Sequence, residues 1–121
     1  MRAILVEPGL APREIDVADT DAIRALIGAD ALDERPFTLT QPVLSIVFDD
    51  DFGRKGLRPT MYHPTYREKY ALCGALVVVR RDDEGDLIGL TDADVARAKE
   101  VVSVHVSALR ADAPHGEVAR W

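Results

Sequence analysis

The sequence predicts a single α+β domain, with a mixed or antiparallel sheet of about four or five strands and two helices packed on one face. Three observations lead to this prediction. Short β-branched runs are separated by turn residues, two segments carry apolar residues at helical spacing, and 121 residues is the length of one domain. We expect residues 1–109 to form the domain and residues 110–121, which show no periodic pattern, to form a flexible or loosely docked tail.

The chain begins with a predicted hairpin and a short helix. Residues 2–17 hold two β-rich runs separated by a Pro-Gly turn, and the second run alternates apolar with acidic side chains. A helix is expected over residues 20–27, because three apolar side chains fall on one face there. Asp19 or Thr20 can cap its first turn, and Gly28 can end it in a left-handed conformation.

Three further strands are expected in the middle of the chain. An irregular strand around residues 37–39 would lie at a sheet edge, because Pro36 cannot donate a hydrogen bond to a neighbour. Residues 42–48 form a clear apolar run. Residues 71–79 are the most apolar and β-branched run, which is typical of a central strand.

A long final helix is predicted over residues 92–109. Thr91 and Asp94 have the spacing of a capping box, and apolar side chains then recur at helical intervals. Residues 102–107 alternate as a strand would, and this alternative remains open from the sequence. The absence of a turn signal before residue 102 favours the helix.

Residues 49–70 have the composition of a long polar loop, since Asp, Gly, Arg, Lys and Pro follow one another closely. Functional contacts tend to lie on extended loops held by a rigid scaffold, so this segment is the predicted recognition surface. Cations beside aromatic rings suit either a protein surface or a nucleotide. The predicted binding residues are Arg54, Lys55, Arg58, Tyr62, His63 and Tyr66.

No catalytic residue, metal or cofactor is predicted. Asp51-Phe52-Gly53 spells a metal-binding signature of protein kinases, but the sequence lacks the glycine-rich loop, strand lysine and catalytic loop that a kinase also needs. The acidic run at 49–51 does not match the spacing of a calcium loop, and we expect it to be a solvated loop. Cys73 and the three histidines match no zinc-binding pattern, and Cys73 is expected to be a small buried thiol.

The charge and hydropathy of the chain argue against two classes of partner. A net charge of −6 argues against a nucleic-acid binder, which needs a basic surface to displace counterions from phosphates. No apolar run approaches the length of a membrane span, and the first apolar run is too short for the core of a signal peptide. We therefore expect a cytoplasmic protein without a nucleic-acid or membrane partner.

Several stretches occur in an order typical of one family. "VEPG" followed by "REID" opens the chain, "CGALVVV" comes later, and "GDLIGLTDADV" follows. Over roughly residues 1–105 the chain resembles the DUF3846 family of small proteins, encoded largely by bacteriophages and mobile elements. The resemblance implies a compact α+β domain and a mobile-element origin, and it supplies no activity.

The leading functional hypothesis is a non-enzymatic accessory protein of a phage or mobile element that binds another protein, with host proteins among the candidate partners. One alternative is a small-molecule or nucleotide-binding protein, or an enzyme, that uses residues 49–70 as a pocket. Another is a structural homo-oligomer, in which two copies pair through an exposed sheet edge or through valines of the last helix.

Overall fold

The structure is a computed structural model that describes residues 1–65 and 71–112. It contains eight strands and three helices within these ranges. The strands are β1 (Arg2–Val6), β2 (Arg13–Asp16), β3 (Leu32–Pro36), β4 (Leu44–Asp49), β5 (Pro59–Tyr62), β6 (Ala71–Cys73), β7 (Leu76–Arg81) and β8 (Leu87–Ile88). The helices are α1 (Thr20–Ile27), α2 (Phe52–Lys55) and α3 (Asp92–Asp112).

The main sheet is antiparallel throughout and has the strand order β2-β1-β7-β4-β3, with the short β8 paired to the end of β7. The predicted α+β class and antiparallel sheet are confirmed. The sheet has six strands because β8, with only two residues, adds to the five on the main path. The strand at 71–79 is in fact two: β6 joins β5 in a separate two-stranded sheet, and β7 is the central strand of the main sheet.

The two long helices cover opposite faces of the main sheet. Successive side chains of β1 alternate between the faces. Ile4 belongs to the same apolar cluster as Val102 of α3, whereas Leu5 belongs to the cluster that contains Ile23 of α1. The prediction of both helices on one face was therefore wrong. The physical reason lies in β7, where residues 76–79 are all buried, so that the sheet needs a cover on each side.

The capping residues of α1 act as the sequence indicates. The Asp19 carboxylate accepts a hydrogen bond of 2.8 Å from the backbone N–H of Ala22. Gly28 has a φ of 77°, and its N–H donates to the carbonyl of Arg24. This left-handed residue ends the helix at low cost because glycine has no Cβ to clash.

The start of α3 is a reciprocal capping box. The N–H of Asp94 donates to Thr91 Oγ1 at 3.1 Å, and the N–H of Thr91 donates to the Asp94 carboxylate at 2.9 Å. Arg80 also donates to that carboxylate from the end of β7. Burial alone would raise the pKa of Asp94, but the Thr91 and Arg80 hydrogen bonds outweigh it and the pKa is lowered. The helix runs on through residues 102–107, so the strand alternative for that stretch was wrong.

Two predicted boundaries differ from the structure. The edge strand lies at Leu32–Pro36 rather than at residues 37–39, and Phe37 is the buried residue just beyond it. Helix α3 extends to Asp112 and so includes the first three residues of the predicted tail. The rest of that tail, residues 113–121, lies outside the described residues.

The outer edge of β3 is partly blocked. Phe37 donates to the Leu44 carbonyl, so strand alternation turns the backbone groups of Glu34 and Pro36 away from β4. The outward N–H of Glu34 binds the Asp33 carboxylate at 2.8 Å. Pro36 has no N–H to offer, and its carbonyl accepts a bond from the hydroxyl of Thr65.

Candidate functional site

The segment expected to be a long loop contains regular structure. Helix α2 covers Phe52–Lys55, and β5 pairs with β6 with a register irregularity between Pro59 and Met61. Met61 is completely buried in the cluster beneath α3. The loop prediction was wrong here because so short and irregular a strand has little local pattern, and its conformation depends on pairing and packing.

Lys55 is held by groups of the chain itself. Its Nζ lies 2.6 Å from the carboxylate of Asp49, whose side chain is 2% exposed, and 3.3 Å from the carbonyl of Gly28. The hydrogen bond to Asp49 raises the pKa of the Lys55 ammonium. The backbone N–H of Asp51 donates to the other Asp49 oxygen at 2.8 Å. Asp49 is therefore buried and paired rather than solvated, and the pair connects α2 to the end of α1.

Arg54 forms an exposed ion pair with Asp51, three residues earlier. The hydrogen bond from Arg54 lowers the pKa of the Asp51 carboxyl. Asp51-Phe52-Gly53 thus lies at the start of α2, with its carboxylate bound to a neighbouring arginine.

Removing each of these two cations should have different effects on stability. Lys55→Met leaves the buried carboxylate of Asp49 without its cation, whereas Arg54→Met removes one member of an exposed pair. We expect Lys55→Met to lower the melting temperature clearly and Arg54→Met to change it little, measured by thermal unfolding at neutral pH. Equal changes for the two variants would contradict a structural role for Lys55.

The remaining predicted binding residues lie in different surroundings. The Tyr62 hydroxyl donates to the Asp112 carboxylate at the end of α3, at 2.9 Å. His63 is 3% exposed, and its Nδ1 accepts a hydrogen bond from the backbone N–H of Thr65 at 3.2 Å. Burial, with smaller contributions from Arg35 and His105, lowers the pKa of the His63 imidazole. Tyr66 lies outside the described residues.

Arg58 is exposed and points toward the turn between β1 and β2. A Cβ added to Gly9 of that turn would lie 3.8 Å from Arg58 Nη2. Within the described residues the Arg58 guanidinium makes no ion pair or side-chain hydrogen bond. Of the predicted binding residues that are described, it is the one whose charge is available to a ligand.

A groove of about 360 Å³ lies beside this turn, between the turn and the second half of α3. We name it the α3 groove. Its lining residues are Gly9, Leu10, Ala11, Pro12, Val102, Ser103, Val106, Ser107 and Arg110. The Leu10 side chain stands at its margin with 60% of its surface exposed, and Arg110 is exposed at its far end. The groove thus combines exposed apolar surface with positive charge.

Two residues of this groove were missed at the sequence level. Leu10 is an apolar residue between glycine and proline in a turn, a position where burial is not expected, and this signal could have identified it. Arg110 was assigned to the predicted tail, and only the continuation of α3 places it beside the turn. The predicted site residues therefore do not form one cluster: Arg58 lies near the α3 groove, whereas Arg54 and Lys55 belong to the ion pairs of α2.

Among the residues that the structure describes, no helix is long and apolar enough to cross a membrane. No curated protein and no solved structure matches the chain. The model of one family, described as a domain of unknown function (DUF3846), matches residues 1–103. This match spans most of the 121 residues and includes every strand and the first half of α3. The chain belongs to the DUF3846 family.

Proposed function

We propose that the protein is a non-enzymatic accessory protein of a phage or mobile element, and that it acts in the cytoplasm by binding another protein at the α3 groove. Proteins of the host are the candidate partners. The observation that carries this proposal is the exposure of Leu10, a large apolar side chain, at the margin of a concave surface. An exposed apolar side chain beside a concave, charged surface offers a partner protein both apolar and polar contacts.

The arrangement of charges favours protein binding over the alternative of a nucleotide pocket in residues 49–70. Such a pocket would use Arg54 and Lys55 to bind phosphates. Both cations are instead engaged by Asp51 and Asp49, and a phosphate would have to displace these carboxylates. Arg58, whose charge is available, lies toward the α3 groove.

The proposal is tested by affinity purification from the native host, with two leucine variants compared to the unaltered protein. Leu10→Glu places a charge at the margin of the groove, and Leu39→Glu does the same at another exposed leucine, which is 75% accessible. We expect a partner that the unaltered protein and Leu39→Glu both retain and that Leu10→Glu loses. Replacing this apolar contact by a charge should weaken binding about tenfold or more.

Both variants should keep the melting temperature and circular dichroism of the unaltered protein, since each leucine is already solvent-exposed. Retention of every partner by Leu10→Glu at unaltered affinity would contradict the α3 groove as the binding surface.

A further inference from the structure

Resting on the proposed protein-binding function, we infer that the α3 groove takes an acidic segment of the partner, in which carboxylates flank at least one apolar side chain. This inference names the chemistry of the partner, and it follows from the charge, the hydroxyl groups and the apolar wall of the groove.

The charge comes from Arg58 and Arg110. Both are exposed, and neither forms an ion pair or a side-chain hydrogen bond within the described residues. Every other arginine in the described ranges except Arg97 binds a carboxylate of the chain. Arg97 donates to oxygens of the loop between β3 and β4. In a chain of net charge −6, the two described arginines without a partner thus both lie near one groove. A ligand with carboxylates complements it.

Two hydroxyl groups add directional contacts. Ser103 and Ser107 are exposed and line the groove from adjacent turns of α3. Residues four apart on a helix are separated by about 6 Å along its axis. Alternate residues of an extended peptide have nearly the same spacing, about 6.6 Å. An extended segment can therefore present a carboxylate or carbonyl oxygen to each hydroxyl in turn.

The apolar side chains of the groove favour a peptide over a nucleic acid as the ligand. Leu10 and Pro12 on the turn, with Val106 on α3, give the groove apolar surface that a sugar-phosphate backbone cannot use. The net charge of −6 also repels a nucleic acid more strongly than a short acidic segment, because the nucleic acid carries many more negative charges. The geometry thus favours a protein segment with mixed acidic and apolar character.

A randomised peptide library displayed on phage tests the inference without knowledge of the natural partner. The full chain is immobilised, bound peptides are selected at low salt, and the composition of the enriched pool is compared with the input. We expect enrichment of Asp and Glu together with Leu, Ile or Phe. The dissociation constant of an enriched peptide should rise about tenfold in Arg58→Gln and in Arg110→Gln, because each loses a hydrogen bond to a charged group.

Arg24→Gln is the matched control, since Arg24 is an exposed cation of α1, which packs on the opposite face of the main sheet from α3. Measured at physiological ionic strength, it should change the dissociation constant less than twofold, because salt screens a distant exposed charge. An enriched pool without acidic residues, or equal effects of all three variants, overturns the inference. Tighter binding of a single-stranded oligothymidine than of any peptide overturns it too.

The same selection separates this inference from the function on which it rests. Peptides that are not acidic but lose affinity in Leu10→Glu contradict the acidic segment and leave protein binding at the α3 groove supported. A further outcome is that the selected peptides bind Leu10→Glu and the two arginine variants as well as they bind the unaltered chain. Such peptides would contradict the acidic segment and also protein binding at the α3 groove. An empty selection contradicts the acidic segment, and the affinity purification then decides the function independently.

Discussion

Replacing Met61 by alanine is expected to lower the free energy of unfolding by about 2–5 kcal/mol, the range for removing a large buried aliphatic side chain. Met61 is completely buried, and it belongs to the apolar cluster that β5 shares with α3 and with one face of the main sheet. Its removal leaves a cavity that the paired strands and the helix can close only in part. Urea denaturation followed by circular dichroism measures the change.

Leu39→Ala is the control, because Leu39 is 75% exposed in the loop after β3. Its effect should stay within about 0.5 kcal/mol. If Met61→Ala cost no more than Leu39→Ala, β5 would not be part of the core. Residues 59–62 would then belong to the loop that the sequence indicates.

Replacing Gly74 by alanine is expected to destabilise the protein by about 2–4 kcal/mol, through two effects that add. Gly74 has a φ of 78°, a conformation that alanine adopts only with strain. A Cβ at this position would also lie 2.7 Å from Cδ1 of Leu57, so that Leu57 must move. The N–H of Gly74 donates to the Arg58 carbonyl, and its own carbonyl accepts from Thr60, which fixes the backbone where the clash occurs.

Gly85→Ala separates the two effects. Gly85 has a φ of 87°, and a Cβ there would have no heavy atom within 4 Å. Its substitution should cost about 1–2 kcal/mol, from backbone strain alone. In the double variant Gly74→Ala with Leu57→Ala, the clash is relieved. The loss of stability should therefore be smaller than the sum of the losses in the two single variants. Equal costs for the two glycine variants would show that the contact with Leu57 contributes nothing.

The features predicted correctly from the sequence are those that depend on local contacts. The cap of α1 by Asp19 and its end at Gly28 need only side chains and backbone within a few residues of each other. The same holds for Thr91 and Asp94 at the start of α3, and for the hairpin of β1 and β2. Family membership was also predicted correctly, from stretches that lie in the β1–β2 hairpin, in β6 and β7, and from β8 to the start of α3.

The features that could not be predicted depend on residues far apart in the chain. Strand β5 forms because β6 pairs with it and α3 covers it, and neither condition can be read from residues 59–62. The side of the sheet on which each helix lies is likewise decided by long-range packing. For the candidate site, Arg58 was predicted from the composition of its segment. Leu10 and Arg110 become its neighbours only after the β1–β2 turn and α3 pack together.

The partly blocked outer edge of β3 affects how the protein behaves at high concentration. A second chain could extend the sheet only by hydrogen bonding to the outward backbone groups of β3. Pro36 has no N–H to donate, the Glu34 N–H is already bound to Asp33, and the Pro36 carbonyl is already bound to Thr65. Fewer backbone groups therefore remain to pair with an added strand, and such blocking of edge strands is one way in which natural sheets resist fibril growth. Copies that accumulate at high concentration would therefore resist pairing with one another at this edge.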